Sequence, residues 1–133
     1  MFFRNEYDFL SNFYPCTVCV NGYEFKNAEA AFQAMKCTSE KDVLLFTELN
    51  GADAKKLGRK IQLRSDWNTF RLKAMKYVLL CKFTQNPTLK QRLKDINEPI
   101  VEHNTWGDTF WGVCNNVGHN HLGRLLTEVR DML

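Results

Sequence analysis

The chain has 133 residues, enough for one domain and too few for two. Apolar residues make up 44% of it and aromatic residues 13%, so a core can be buried, and the 25% of charged residues can solvate the surface around that core. Eighteen basic against fifteen acidic side chains leave a formal charge of +3, which argues against recognition by bulk positive charge but does not repel a phosphorylated ligand.

No apolar run approaches the ~18–20 residues that cross a bilayer, so no membrane partner is expected. The opening Met1-Phe2-Phe3-Arg4-Asn5-Glu6 lacks the basic-then-apolar order of a secretion leader. Five cysteines, at positions 16, 19, 37, 81 and 114, cannot all pair within the chain. Without a leader they read as reduced thiols of a cytoplasmic protein.

An extended stretch is expected from Tyr7 to Pro15. It leads into Cys16–Val20, then Asn21-Gly22, then Tyr23–Phe25. Asn-Gly between two β-prone runs is a strong hairpin signal, because both turn residues must tolerate positive φ. Cys16 and Cys19 have C-x-x-C spacing, but no second such pair and no following helix accompany them, so the reading is structural.

Asn27 is placed to cap a helix through Lys36, a run of good helix formers. Ser39-Glu-Lys-Asp42 resembles a capping box and predicts a helix to about Leu49, ended by Asn50-Gly51. A short helix over Asp53–Leu57 follows, stopped by Gly58. Ser65 is placed to cap the longest helix, from about Asp66 to Phe83, whose Trp67, Phe70, Ala74, Val78 and Cys81 share one face. Pro87 starts the next helix, which runs to about Asp95. After a short extended piece at 99–102 comes a long loop, His103 to His119, whose aromatic residues argue for order and whose length argues for function. Asn120 is placed to cap a last helix that turns Leu122, Leu125, Leu126 and Val129 inward. The expected fold class is α+β, predominantly α: one multihelical domain with a small N-terminal hairpin.

Two constellations can carry chemistry. Glu29, Gln33 and Lys36 lie at i, i+4 and i+7 on one helix stripe, with Phe32 and Met35 pointing elsewhere. Such a stripe is either a solvated face or a row of acid, amide and amine lining a cleft. Glu29 also lies in the first turn, where the helix dipole favours a carboxylate. The second constellation is the segment from Glu102 to Gly123. In it Trp106 and Trp111 can stack on a base or anchor the loop to the core, Asp108 can bind a hydroxyl or activate water, and the following helix N-terminus can attract phosphate. Cys114, His119 and His121 offer no fourth ligand at zinc spacing, so no metal is expected. No phosphate-cradling glycine loop or nucleophile elbow is present, and no cofactor is implied.

Taken together, several blocks resemble the NADAR family, of YbiA-like fold. They are Phe9-Leu-Ser-Asn-Phe-Tyr-Pro15, Gly22 of the hairpin, Asn27–Lys36, Leu57-Gly-Arg59 and Asp66-Trp67. Met75, Lys82-Phe83, Val101-Glu102, Asp108–Gly112 and Asn120–Leu126 continue the match to Val129-Arg130. Ala28-Glu29-Ala30 stands where the family usually has Ser-Glu-His, and Thr127 where it usually has Met. The resemblance implies hydrolysis of N-glycosidic bonds, with ADP-ribose on guanine and ribosylaminopyrimidine intermediates of riboflavin synthesis as substrate classes. ADP-ribosylated DNA would be the polymeric form of the first. It implies Glu29, Trp67, Asp108 and Trp111 as active-site residues, with Asn12, Gln33 and Lys36 close by. The site residues expected are Glu29, Lys36 and Asp108 as catalytic groups, and Asn12, Phe13, Gln33, Trp67, Trp111, Gly112 and Asn120 as substrate-binding residues. A non-catalytic ADP-ribose or NAD-binding module, or a protein-docking domain using the Trp106–Trp111 loop, would use the same aromatics without the carboxylates.

Overall fold

A computed structural model describes residues 1–133 as a multihelical domain with a two-stranded hairpin packed against two of its helices. The elements are β1 (Pro15–Val20), β2 (Tyr23–Asn27), α1 (Ala28–Ala34), α2 (Glu40–Leu44), α3 (Gly51–Leu57), α4 (Trp67–Gln85), α5 (Pro87–Lys94) and α6 (His121–Met132). A 3-10 helix, Asn5–Leu10, precedes them. No helix is long and apolar enough to cross a membrane.

The hairpin is antiparallel, with Val18 opposite Phe25 and Val20 opposite Tyr23. Asn21 and Gly22 have φ of 52° and 87°, the conformation the Asn-Gly signal demands. Alternation buries Val18, Val20 and Phe25. The end of α4 ties down the hairpin's free edge: Gln85 accepts from the Cys19 N–H at 2.7 Å and donates to the Cys19 carbonyl at 2.8 Å.

All seven residues of α1 are buried. Ala28, Ala30, Ala31 and Ala34 carry almost no bulk, so α3, α4 and both strands close in on every side of the helix. Asn27 caps it as expected, accepting from the Ala30 N–H at 2.7 Å.

Several boundaries differ from the expectation. The Ser39 helix stops at Leu44 and the chain continues in single turns, because Asn50 does not end a helix but starts α3, accepting from the Asp53 N–H at 2.8 Å. Ser65 does not cap α4; Asp66 holds the cap position, and its carboxylate is engaged by Arg64. The inward face of α4 is centred on Trp67, Met75, Val78, Leu79, Lys82 and Phe83, leaving Phe70 and Cys81 half-buried. The stretch from Tyr7 is not extended but begins inside the 3-10 helix.

Lys82 explains that last difference. Its ammonium is fully buried and donates to the carbonyls of Phe9 at 2.6 Å and Ser11 at 3.0 Å. A strand would aim alternate carbonyls at a neighbouring strand, whereas here one cation gathers two of them from a compact turn. Burial pushes the Lys82 amine down to about 8.

Candidate active site

A cleft of about 430 Å³ opens between α1, α3, α4, the N-terminal segment and the loop that follows α5. That volume lies within the range of small-molecule sites. From α1 come Glu29, Phe32 and Gln33, from the turn just after it Lys36, from α3 Lys55, and from α4 Trp67, Arg71 and Met75 at one helix turn apart. The N-terminal segment adds Phe2, Phe3, Arg4, Ser11 and Asn12; the loop adds Glu102, His103, Thr105, Trp106, Asp108 and Trp111.

The polar stripe of α1 is therefore no solvated face. Glu29 and Gln33 are buried, and the Gln33 amide donates to Glu29 Oε1 at 2.8 Å. Burial pushes the Glu29 carboxyl above its usual range; Gln33, Lys55 and Lys36 oppose that shift, and Asp108 adds to it. Lys36 is half-buried just past the end of α1, its amine 5.7 Å from the Trp67 ring centroid, and burial lowers its pKa. Phe32, expected to point away, lines the cleft as well, with Trp67 at 5.2 Å and Trp111 edge-on at 5.5 Å. This aromatic wall excludes water from one side of the acids.

The loop is built around two carboxyls and one amide. Asp108 Oδ1 accepts from the N–H groups of Phe110 at 3.1 Å and Trp111 at 2.9 Å, which fixes the side chain and leaves Oδ2 for a ligand. The buried Asn104 accepts from the Asp108 N–H at 3.1 Å and donates to Glu102 Oε2 at 3.0 Å. Glu102 is 6% exposed, and burial pushes it up to about 6. Sequence reasoning gave Glu102 no role. The available signal was an acid six residues before Asp108 with an asparagine between them.

Three expected substrate-binding residues do not line the cleft. Phe13 is 43% exposed and packs on Gly51, where an added methyl group would meet its ring at 2.6 Å. Gly112 lies behind Glu102. Asn120 is in left-handed conformation with φ 53° and caps nothing; its side chain accepts from the Glu102 N–H at 2.9 Å and donates to the Ile100 carbonyl at 3.0 Å. The first amides of α6 are also spent on the loop, His121 donating to Phe110 at 3.2 Å and Leu122 to Trp111 at 2.9 Å. Those two amides are consequently not available to a phosphate. Trp111 is half-buried and wedged against the core, whereas Trp106 is 65% exposed at the mouth and anchors nothing.

Two buried acceptors lack a donor, Asn12 Oδ1 and Gln33 Oε1. Asn12 holds the start of α1 through its carbonyl, which accepts from the Glu29 N–H at 2.9 Å, and its amide reaches only the Met75 sulfur at 3.4 Å. Its free oxygen belongs to a residue of the cleft wall and suits a ligand hydroxyl or amine. Cys114, His119 and His121 form no group able to hold a metal ion.

The chain matches the NADAR domain model over residues 1–133. It is 33% identical over 133 residues to a riboflavin biosynthesis protein of Vibrio vulnificus, covering 96% of this chain and 36% of that protein's length. An N-glycosidase of Nostoc punctiforme is 30% identical, with 94% of this chain and 85% of the relative covered. The NMR structure of the Escherichia coli protein YbiA superposes with a TM-score of 0.85 at 31% identity, covering 96% of this chain and 79% of that one. With a family model spanning every residue and a solved relative superposing over nearly all of it, the chain belongs to the NADAR domain family.

Proposed function

We propose that this chain is an N-glycosidase that hydrolyses an N-ribosyl bond in a nucleotide-like substrate, removing ADP-ribose from modified guanine in a nucleic acid or nucleotide. The observation that carries this reading is the enclosure of three carboxyl groups and two lysine amines around a single aromatic-walled cleft. Cutting the bond leaves an electron pair on the base nitrogen and positive charge at C1′, so a proton donor and a negative group must flank it. Glu29, raised by burial, suits the proton-carrying role. The free oxygen of Asp108 suits polarising water or holding a ribose hydroxyl. Trp67 and Trp111 would flank the base and exclude solvent, while Gln33 and Asn12 orient the ligand.

Lys36 opens a second route. When the ribose ring opens, C1′ becomes an imine carbon still joined to the base nitrogen. A neutral lysine amine can add there, and the base leaves with a proton, giving a lysine imine that water hydrolyses. The lowered pKa of Lys36 favours the neutral amine this route needs.

A ribosylaminopyrimidine phosphate is the second substrate reading, favoured by the name of the Vibrio relative. Five free cysteines suit a reducing cytoplasm.

The test is turnover of ADP-ribosylated guanosine and of ribosylaminopyrimidine phosphates by wild type, Glu29→Gln, Asp108→Asn and Lys36→Ala. Both carboxyl variants should lose activity on the true substrate, and borohydride should trap an adduct only while Lys36 is present. Full activity without the carboxyls, or tight calorimetric binding of these ligands with no turnover, would overturn the enzyme reading.

A further inference from the structure

Four cationic side chains, Arg4, Lys36, Lys55 and Arg71, line the cleft beside its three acids. Asp108 influences both Glu29 and Glu102, and Lys55 acts on both glutamates while Lys36 acts on Glu29. Arg71 forms no ion pair, and none of its side-chain N–H groups has an acceptor.

Arg71 is nonetheless held in place. It sits on the cleft-facing stripe of α4 between Trp67 and Met75, one turn from each, the one charged member of that stripe. Its guanidinium lies 3.8 Å from the centroid of the Phe110 ring. Phe110 is itself braced by Trp111 at 4.8 Å and His121 at 4.5 Å, and His119 stacks on His121 at 5.4 Å. Arg124 approaches His121 Nδ1 at 2.8 Å; only the arginine can donate there, so that contact supplies no acceptor to Arg71. Its own carboxylate partner, Glu128, is shared with Lys76. Arg71 therefore presents a planar fork of donors, pre-oriented by a ring rather than by a carboxylate, next to a cluster of positive and imidazole groups.

We propose that Arg71 is a phosphate-binding residue of this cleft, holding a phosphate of the substrate against the Phe110 side of the wall. This rests on the N-ribosyl reading above and deepens it. A phosphate near the three acids would be repelled, so a phosphorylated sugar enters with its phosphate toward Arg71 and its C1′ toward the carboxyls.

The experiment is binding by calorimetry or NMR titration with ribose 5-phosphate, ribose and inorganic phosphate. The proteins are wild type, Arg71→Ala, Arg71→Lys and Lys76→Ala, each first checked for an unchanged thermal transition. Wild type should prefer ribose 5-phosphate to ribose by at least about tenfold, as one charge-assisted contact supplies. Arg71→Ala should abolish that preference, Arg71→Lys should keep part of it, and Lys76→Ala, which removes a charge from α4 outside the cleft, should leave it intact. No preference in wild type, or equal losses in Arg71→Ala and Lys76→Ala, would overturn the assignment. These are binding measurements, so failure of turnover on every N-ribosyl substrate would sink the proposed reaction without touching this result.

Discussion

The carboxyl group of Glu102 fills the space that a side chain at position 112 would need. A methyl group added to Gly112 would meet the Glu102 carboxyl carbon at 2.7 Å and collide with its Oε2 and backbone carbonyl. Asn104 grips the same carboxyl from the side, and Asn120 holds the Glu102 backbone. Gly112 and Asn120, expected to touch substrate, instead position an acid that lines the cleft.

Gly112→Ala should therefore displace Glu102. Because part of the collision is with backbone, the cost is expected to be ~2–3 kcal/mol, read as a lower urea midpoint. Activity should fall with it, while Gly107→Ala, in open space but at positive φ, should affect stability by backbone strain without disturbing Glu102.

Glu29→Gln should inactivate and stabilise at once. Burial raises the folded pKa of Glu29 above its unfolded value, so the folded state binds its proton more tightly. Stability from this group is full below the unfolded pKa and is lost as pH rises through the folded one. At neutral pH a glutamine avoids that loss and should gain roughly 1 kcal/mol in chemical denaturation, while kcat falls ~10²–10⁴-fold. A Glu29→Gln protein less stable than wild type at pH 7 would contradict this account.

Glu102 should appear in the pH dependence of kcat/KM. Its carboxyl is pushed up to about 6, so the free enzyme should show a limb there that vanishes in Glu102→Gln. The stability sign matches that of Glu29: wild type loses this contribution as pH rises from about 4.5 through 6, and Glu102→Gln should lose the dependence.

Lys82 carries the opposite signature. Its folded pKa of about 8 lies below the unfolded 10.5, so the unfolded chain binds more protons between them and stability from this group rises with pH across that window. Lys82→Ala should remove this slope. It also strands the Phe9 and Ser11 carbonyls and leaves a cavity, costing ~3 kcal/mol in urea denaturation at pH 7.

Trp106→Ala should separate binding from folding. The indole is exposed at the cleft mouth, so its loss should leave the melting transition within about a degree of wild type. If it stacks on a base, KM should rise ~5–50-fold with kcat preserved. An unchanged KM would remove Trp106 from the binding surface.

Much of this protein was legible in local chemistry. Asn21-Gly22 needed positive φ and made the hairpin, Asn27 capped α1, and Pro87 began α5, because each depends on neighbours within a few residues. The spacing of Glu29, Gln33 and Lys36 put them on one stripe for the same reason. Whether that stripe met solvent or a cleft depended on what packed over it, and tertiary structure decided it through the alanines that let α3 and α4 close around α1. Tertiary structure also redirected Asn120 and Gly112, whose partners at 100–102 are ten to twenty residues away. Lys82, distant in sequence from the carbonyls it binds, folded an expected extended stretch into a turn. Turns and caps follow from short-range bonding and so can be read in the chain. Burial, the grouping of cations with acids and the identity of the third acid arise only when distant segments share one cleft.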